Sequence, residues 1–263
     1  MELPYFHVDA FSDVPFKGNP AAVFVLKEWL PVDIMQSIAA EFNLSETVFS
    51  VLEGEHYHIR WFTPETEVAL CGHATLATAH VLLQHLGIDA SIIKFSSQSG
   101  ILSTKYENDL YTLDFPTAMP QEVPPPDHLD QMLGAEVLYT YATDKLLAVL
   151  KDEQAVESVK PDFQALAQLE YSAVCITAPA STPGIDFVCR FFAPANGINE
   201  DPVTGSAYAM LTPFYAINTG RIEFSARQLS KRGGDLKLKY LNNRILISGK
   251  AKTVMAGTFF LEI

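Results

Sequence analysis

The sequence predicts an α+β fold of two similar α/β rolls, each a curled, mostly antiparallel sheet around one buried helix. Three observations predict it. A motif occurs twice: "RWFTP" at Arg60 to Pro64 is followed eight residues after its proline by "GHA", and "RFFAP" at Arg190 to Pro194 is followed eleven residues after its proline by "GSA". The order of elements around each copy recurs, which points to an internal duplication. The helix that opens at each motif glycine is apolar or small on nearly every side and must therefore be buried. In a half made mostly of strands, a curled sheet covers all faces of that helix at once.

In the first half, apolar runs and alternation predict a strand at "AAVFVL", a helix at "VDIMQSIAAEF", and strands at "SETVFSVL" and "YHIRWF". The buried helix follows from Gly72. Then "IIKFSS", "ILSTKYE" and "LYTLDF" read as half-buried strands separated by Gly, Asn and Asp turn signals. The second half keeps the order: "KLLAVL", a helical "PDFQALAQL", strands at "YSAVCITA" and "DFVCRFF", the helix "GSAYAMLTPFYAINTG", and strands at "GDLKLKYL", "NRILISG" and "VMAGTFFLEI". Pro213 predicts a kink or an early stop in that helix, because it removes one backbone hydrogen bond. The proline cluster in "FPTAMPQEVPPPDHL" forbids regular pairing and reads as a linker. The expected division is 1–116, a linker at 117–126, and 127–253.

Composition narrows the partners. The chain has 263 residues with 48% hydrophobic and 19% charged content, enough for two ordinary cores. A net charge of −13 repels phosphate backbones and anionic lipid surfaces, so neither nucleic acid nor membrane is an expected partner. The start "MELPYFHVDAF" has no basic, apolar leader, which together with three sparse cysteines (Cys71, Cys175, Cys189) fits a cytoplasmic protein. No metal site is expected, since His7, His58, His73, His80, His85 and His128 form no i, i+4 pair with a third ligand nearby. "SKRGGDL" reads as a hairpin turn rather than a phosphate loop, and no G-x-G-x-x-G follows a strand to hold a dinucleotide.

Chemistry concentrates at the helix starts. Unsatisfied N–H groups and a partial positive charge at Gly72 and Gly205 attract anions, and glycine lets a ligand reach the backbone. His73 and Ser206 follow with side-chain donors. If the two halves face each other, the starts line one cleft suited to a small carboxylate. Asp201, just before the second helix, is either a member of that site or a turn residue ahead of Pro202. Glu46 sits where a helix ends and an apolar strand begins. A partly buried carboxylate there can carry a proton at neutral pH, or else bind the turn after Asn43.

Together, "HVDAFSDVPFKGNPAAVF", "NLSETVF", "FTPETEVALCGHATLA" and "EDPVTGSA" resemble the phenazine-biosynthesis isomerase-like (PhzF-like) family of the diaminopimelate-epimerase-like superfamily. The resemblance spans nearly the whole chain and implies paired rolls with the active site between them. It implies Glu46 as general acid/base with His73 and Asp201 as its catalytic partners, and substrate contacts from Ser45, Gly72, Gly205, Ser206 and Asn19. It further implies an isomerase without cofactor, a homodimer, and a final strand, 254–263, returning to the first roll. Epimerases of the superfamily use one thiol at each helix start. Here only Cys71 occupies such a position, so a two-thiol mechanism is not expected, and Cys71 reads as an inert core residue. Single-thiol epimerisation and non-catalytic binding of a small acid are the alternatives.

Overall fold

The computed structural model describes residues 1–262. The chain divides into two units: Met1–Asp114 with the chain from Ser248 onward, and Phe115–Ile247. The first unit contains β1 (Glu2–Ala10), β2 (Asn19–Leu26), α1 (Val32–Phe42), β3 (Glu46–Glu53), β4 (His56–Phe62), β5 (Glu67–Val68), α2 (Gly72–Gln84), β6 (Ile92–Ser97), β7 (Gly100–Glu107) and β8 (Leu110–Pro116). β2 and β3 are parallel, so a crossover must join them, and α1 supplies it. α1 buries Met35, Ile38 and Ala39, at i, i+3 and i+4, and ends on Asn43 in the left-handed region (φ 49°). α2 is buried at every position from His73 to Leu82. Its polar residues survive there because Thr75 and Thr78 donate to the carbonyls of Cys71 (2.5 Å) and Ala74 (2.8 Å), one turn back.

The second unit contains β9 (Gln121–Glu122), α3 (Leu129–Leu133), β10 (Tyr139–Ala142), β11 (Leu146–Val149), α4 (Glu153–Ser158), α5 (Phe163–Leu166), β12 (Val174–Pro179), β13 (Phe187–Phe192), α6 (Gly205–Thr219), β14 (Glu223–Gln228), β15 (Gly234–Tyr240) and β16 (Arg244–Gly249). The ladders β1·β2, β2·β3, β3·β4, β4·β6 and β6·β7 run antiparallel, parallel, antiparallel, parallel and antiparallel. The ladders β10·β11, β11·β12, β12·β13, β13·β14 and β14·β15 repeat that series of senses. The duplication read from two pentapeptides is therefore a duplication of sheet topology.

Several elements differ from the sequence expectation. Pro213 does not stop its helix, which runs on to Thr219. The carbonyl of Ala209, deprived of its intrahelical donor by Pro213, accepts instead from the N–H of Ala118 at 2.9 Å. That donor comes from the proline-rich stretch expected to be a linker. The stretch lies inside the second unit, and its Gln121–Glu122 pair with β10. The helix expected over "PDFQALAQL" is a single turn, preceded by the unexpected α4. Asp152 and Asp162 cap the two short helices, accepting from Ala155 and from Gln164 and Ala165, and Pro161 separates them. "SKRGGDL" connects β14 to β15, whose ladder begins at Gln228 and Gly234.

The last strand, β17 (Ala251–Phe260), pairs antiparallel with β1 from Glu2↔Phe260 to Ala10↔Ala251. It starts earlier than the expected 254–263, and Ile263 lies outside the described residues. Its Phe259 joins Tyr5, Phe24 and Phe42 in the core beneath α1.

Candidate active site

Glu46 owes its place to the end of α1. Asn43 turns the chain, Ser45 lies half-buried in the turn, and Glu46 enters β3 opposite Ala21 of β2 with its side chain 15% exposed. Cys71, in an extended conformation, precedes the first residue of α2, and His73 is buried in the first turn. His73 Nε2 lies 3.2 Å from Glu46 Oε2, and its Nδ1 lies 3.5 Å from Cys71 Sγ. Residues 27 positions apart in sequence thus meet around one imidazole. Asn19 opens β2, fully buried, next to Pro20, whose carbonyl accepts a hydrogen bond from the His73 ring.

Burial pushes the His73 imidazole down to about 3, and the bond to Pro20 opposes that shift only partly. His73 is therefore neutral at physiological pH, and its contact with Glu46 is not an ion pair. The neutral ring brings no cation to the Glu46 carboxylate.

In the second unit, Asp201 accepts a short hydrogen bond from the Thr204 hydroxyl, and its own N–H donates to the Phe191 carbonyl at 3.0 Å. Thr204 precedes the first residue of α6, Gly205 is buried, and Ser206 is exposed in the first turn. Gln228, fully buried on β14, accepts from the Thr204 N–H (2.9 Å) and donates to the Asp201 carbonyl (2.8 Å) and the Thr204 hydroxyl (3.2 Å). With its hydroxyl committed to Asp201 and Gln228, Thr204 does not cap α6. Cys71 does not cap α2 either. Neither central helix is thus capped by the side chain of the residue that precedes it, and an anion-binding start is built on such first-turn N–H groups.

Two residues escaped the sequence reading. Gln228 had no signal beyond being polar in an apolar strand. Asp9 had one, a carboxylate within "YFHVDAF". It is fully buried on β1 opposite Pro20 and accepts from the N–H of Phe16 at 2.7 Å, which holds the loop into β2. Gly18 in that loop has φ +69°, and a Cβ there would lie 2.1 Å from the Ala10 carbonyl oxygen, so no other residue fits before Asn19.

The repeat also shows what the second copy lacks. Phe49 faces Arg60 across β3 and β4, and Ile176 faces Arg190 across β12 and β13. Counting back three residues from each, Glu46 corresponds to Ala173. At the helix starts, Cys71 corresponds to Thr204 and His73 to Ser206. Carboxylate, thiol and imidazole occur together in one unit only. The donor atoms of Glu46, Cys71 and His73 lie within 4.8 Å of one another, close enough to share a metal ion. Spacing along the sequence could not show this grouping, because β3 contributes one of the three donors.

The profile of the Phenazine biosynthesis-like protein family (PhzC-PhzF) matches residues 8–257. The chain belongs to this family. A relative in Pseudomonas aeruginosa, named an uncharacterized isomerase, is 48% identical over the full length of both proteins. A human phenazine biosynthesis-like domain-containing protein is 37% identical, covering 98% of this chain and 99% of its own. The crystal structure of a PhzF-family protein from Enterococcus faecalis superimposes with a TM-score of 0.97 at 46% identity, covering 99% of this chain and 100% of that one. A hydroxyproline epimerase from Agrobacterium vitis shares the fold, with a TM-score of 0.62 at 10% identity, covering 98% of this chain and 92% of that one. Among the described residues of this PhzF-family chain, no helix is long and apolar enough to cross a membrane.

Proposed function

We propose that the protein is an isomerase that, without a bound cofactor, moves a proton between carbons of a small carboxylate-bearing metabolite, cyclic or unsaturated, with Glu46 as the proton carrier. The carrying observation is Glu46 Oε2 at 3.2 Å from the Nε2 of an imidazole that burial keeps neutral. The Glu46 carboxylate takes a proton from carbon next to the unsaturated system, and the C–H electron pair enters that system. Negative charge spreads toward the substrate carboxylate, where uncapped helix N–H groups stabilise it. The protonated Glu46 then returns the proton to a second carbon, and a C–H bond forms as the double bond shifts. Atoms and electrons balance with no second reactant. Ala173 at the repeated position supports one acid/base group rather than two.

Incubating the protein with a panel of dienoic and β,γ-unsaturated carboxylic acids in D₂O tests this reading, with deuterium uptake followed by mass spectrometry. Glu46→Gln should lower exchange about 10²- to 10⁴-fold, the usual worth of a positioned acid/base group, while leaving binding in place. Measurable binding with neither deuterium uptake nor an isomerised product from any panel member would overturn it in favour of a binding protein. A pool of chelator-treated protein should exchange as fast as untreated protein.

A second reading has its own observation: Cys71 Sγ lies 3.5 Å from His73 Nδ1, so a thiol stands at the start of α2 beside Glu46 and His73. Epimerisation through that thiol predicts a loss of about 10²-fold or more in Cys71→Ser, whereas the Glu46 mechanism predicts near-full activity.

A further inference from the structure

Each copy of the repeated motif carries an arginine that the chemistry above does not use. Arg60 Nε donates to Glu67 Oε1 at 2.8 Å and its second terminal nitrogen to Oε2 at 2.7 Å. Arg190 does the same with Glu200, at 2.7 and 3.1 Å. Both are forked, two-bond pairs, the geometry in which guanidinium and carboxylate fix each other's orientation. All four side chains are mostly shielded from solvent, with exposures of 12% to 20%.

Each arginine is anchored to rigid structure. Arg60 lies over the rings of Phe62 (5.3 Å) and Trp29 (5.5 Å). Arg190 lies over Phe192 (5.0 Å) and donates to the carbonyls of Val156 and Val159 (3.3 and 2.8 Å) at the end of α4.

The spacing shows what each pair holds. Glutamate follows arginine by seven residues in the first copy (60 to 67) and by ten in the second (190 to 200). From glutamate to the first helical glycine the distance is five in both, 67 to 72 and 200 to 205. The three-residue insertion is thus confined between arginine and glutamate, and the run from glutamate into the helix keeps its length. That run carries Cys71 and Gly72 in one unit and Asp201, Thr204 and Gly205 in the other, and in neither does the residue before the helix cap it with its own side chain, though Gln228 also holds the second run at Asp201 and Thr204.

We propose that Arg60–Glu67 and Arg190–Glu200 are positioning pairs, each pinning the five-residue run that sets the geometry of a central helix start and of the side chains displayed there. The inference rests on those helix starts being part of a working site. A pair that only added stability would have no need of a constant distance to the helix. A misplacement of about 1 Å at a reacting centre can cost about 100-fold in rate.

Four variants test it: Arg60→Lys, Glu67→Gln, Arg190→Lys and Glu200→Gln. Lysine keeps the cation and loses the fork. In ¹⁵N-labelled protein without substrate, the first two should shift the Gly72 amide signal and speed its hydrogen exchange at least about 10-fold, leaving Gly205 unchanged. The other two should do the reverse. With a substrate identified in the D₂O panel, kcat at a temperature well below unfolding should fall about 10- to 100-fold while KM changes little. Variants with a lower Tm but unmoved glycine amides and unchanged kcat would show a merely stabilising role and overturn the proposal. The amide readout needs no turnover, so its failure is distinguishable from failure of the Glu46 reading.

Discussion

His73 makes the first unit acid-sensitive in a way that can be worked through. Its ordinary value is 6.5 and burial lowers it to about 3 in the folded protein. Between those values the unfolded chain binds a proton that the folded chain does not, so stability is fully present above pH 6.5 and falls as pH drops toward 3. The slope approaches about 1.36 kcal/mol per pH unit below the unfolded value, which integrates to about 2.3 kcal/mol between pH 6.5 and 4.5. With a urea m-value of about 1–3 kcal/mol/M, that is a midpoint shift of about 1–2 M. The two tryptophans of the sequence, Trp29 and Trp61, both lie in the first unit, so their fluorescence reports its unfolding alone. His80, lowered by burial to about 4, adds a slope of the same sign. Comparing wild type with His73→Gln removes that contribution, because His80 is present in both. The variant's stability should fall with pH less steeply by up to about 1.36 kcal/mol per unit. Parallel dependences between pH 6.5 and 4.5 would refute a buried, neutral His73.

Two further predictions concern the scaffold. Glu153, lowered to about 2 chiefly by its bond from the Ser181 hydroxyl, also accepts from the N–H groups of Ser181 and Thr182 and from the Thr182 hydroxyl. Glu153→Gln should cost about 2–4 kcal/mol at pH 7 by urea unfolding, with wild type and variant converging as pH falls from 4.5 toward 2. Truncation after Lys252 removes the partners of Glu2 through Val8, the Phe259 ring, and the Thr253 hydroxyl that meets His80 and His85. It should abolish the tryptophan-monitored transition of the first unit, and a transition retained at its wild-type midpoint would show that β17 is dispensable there.

Much of the fold was legible because periodicity and the repeat are local signals. α1, α2 and α6 begin where the sequence placed them, and α1 and α6 also end near their expected limits, at the turn residues Asn43 and Gly220. The unread elements depend on distant partners. β10 is a four-residue strand and β9 a two-residue one, each too short for alternation to show. α4 gave no sequence signal, since its six residues make less than two turns. Pro213 does cost its helix a hydrogen bond without stopping it, and the replacement donor, Ala118, stands 91 residues before the Ala209 carbonyl it satisfies, on the proline-rich stretch.

The site was legible in its members and not in its electrostatics. Glu46 stood out as a carboxylate at the head of an apolar strand, and His73 as a polar residue in a buried helix. Their contact requires β3 to lie alongside β2 in the register that sets Glu46 against Ala21, a pairing no local pattern encodes. The neutrality of His73 follows only once that packing has removed water from the ring. Duplication separates what the two copies share from what they do not. The features both copies share, the forked arginine–glutamate pair, the five-residue run and the uncapped helix start, all position backbone. The features they do not share are side chains that can carry a proton: Glu46 against Ala173, Cys71 against Thr204 and His73 against Ser206 in the first copy, and Asp201 against Val68 in the second. A duplicated scaffold can keep its geometry in both halves because anion-binding N–H groups do not compete with one another. The donor atoms of Glu46, Cys71 and His73 lie within 4.8 Å of one another in the first unit, and the equivalent positions of the second hold an alanine, a threonine and a serine, which at neutral pH neither gain nor lose a proton.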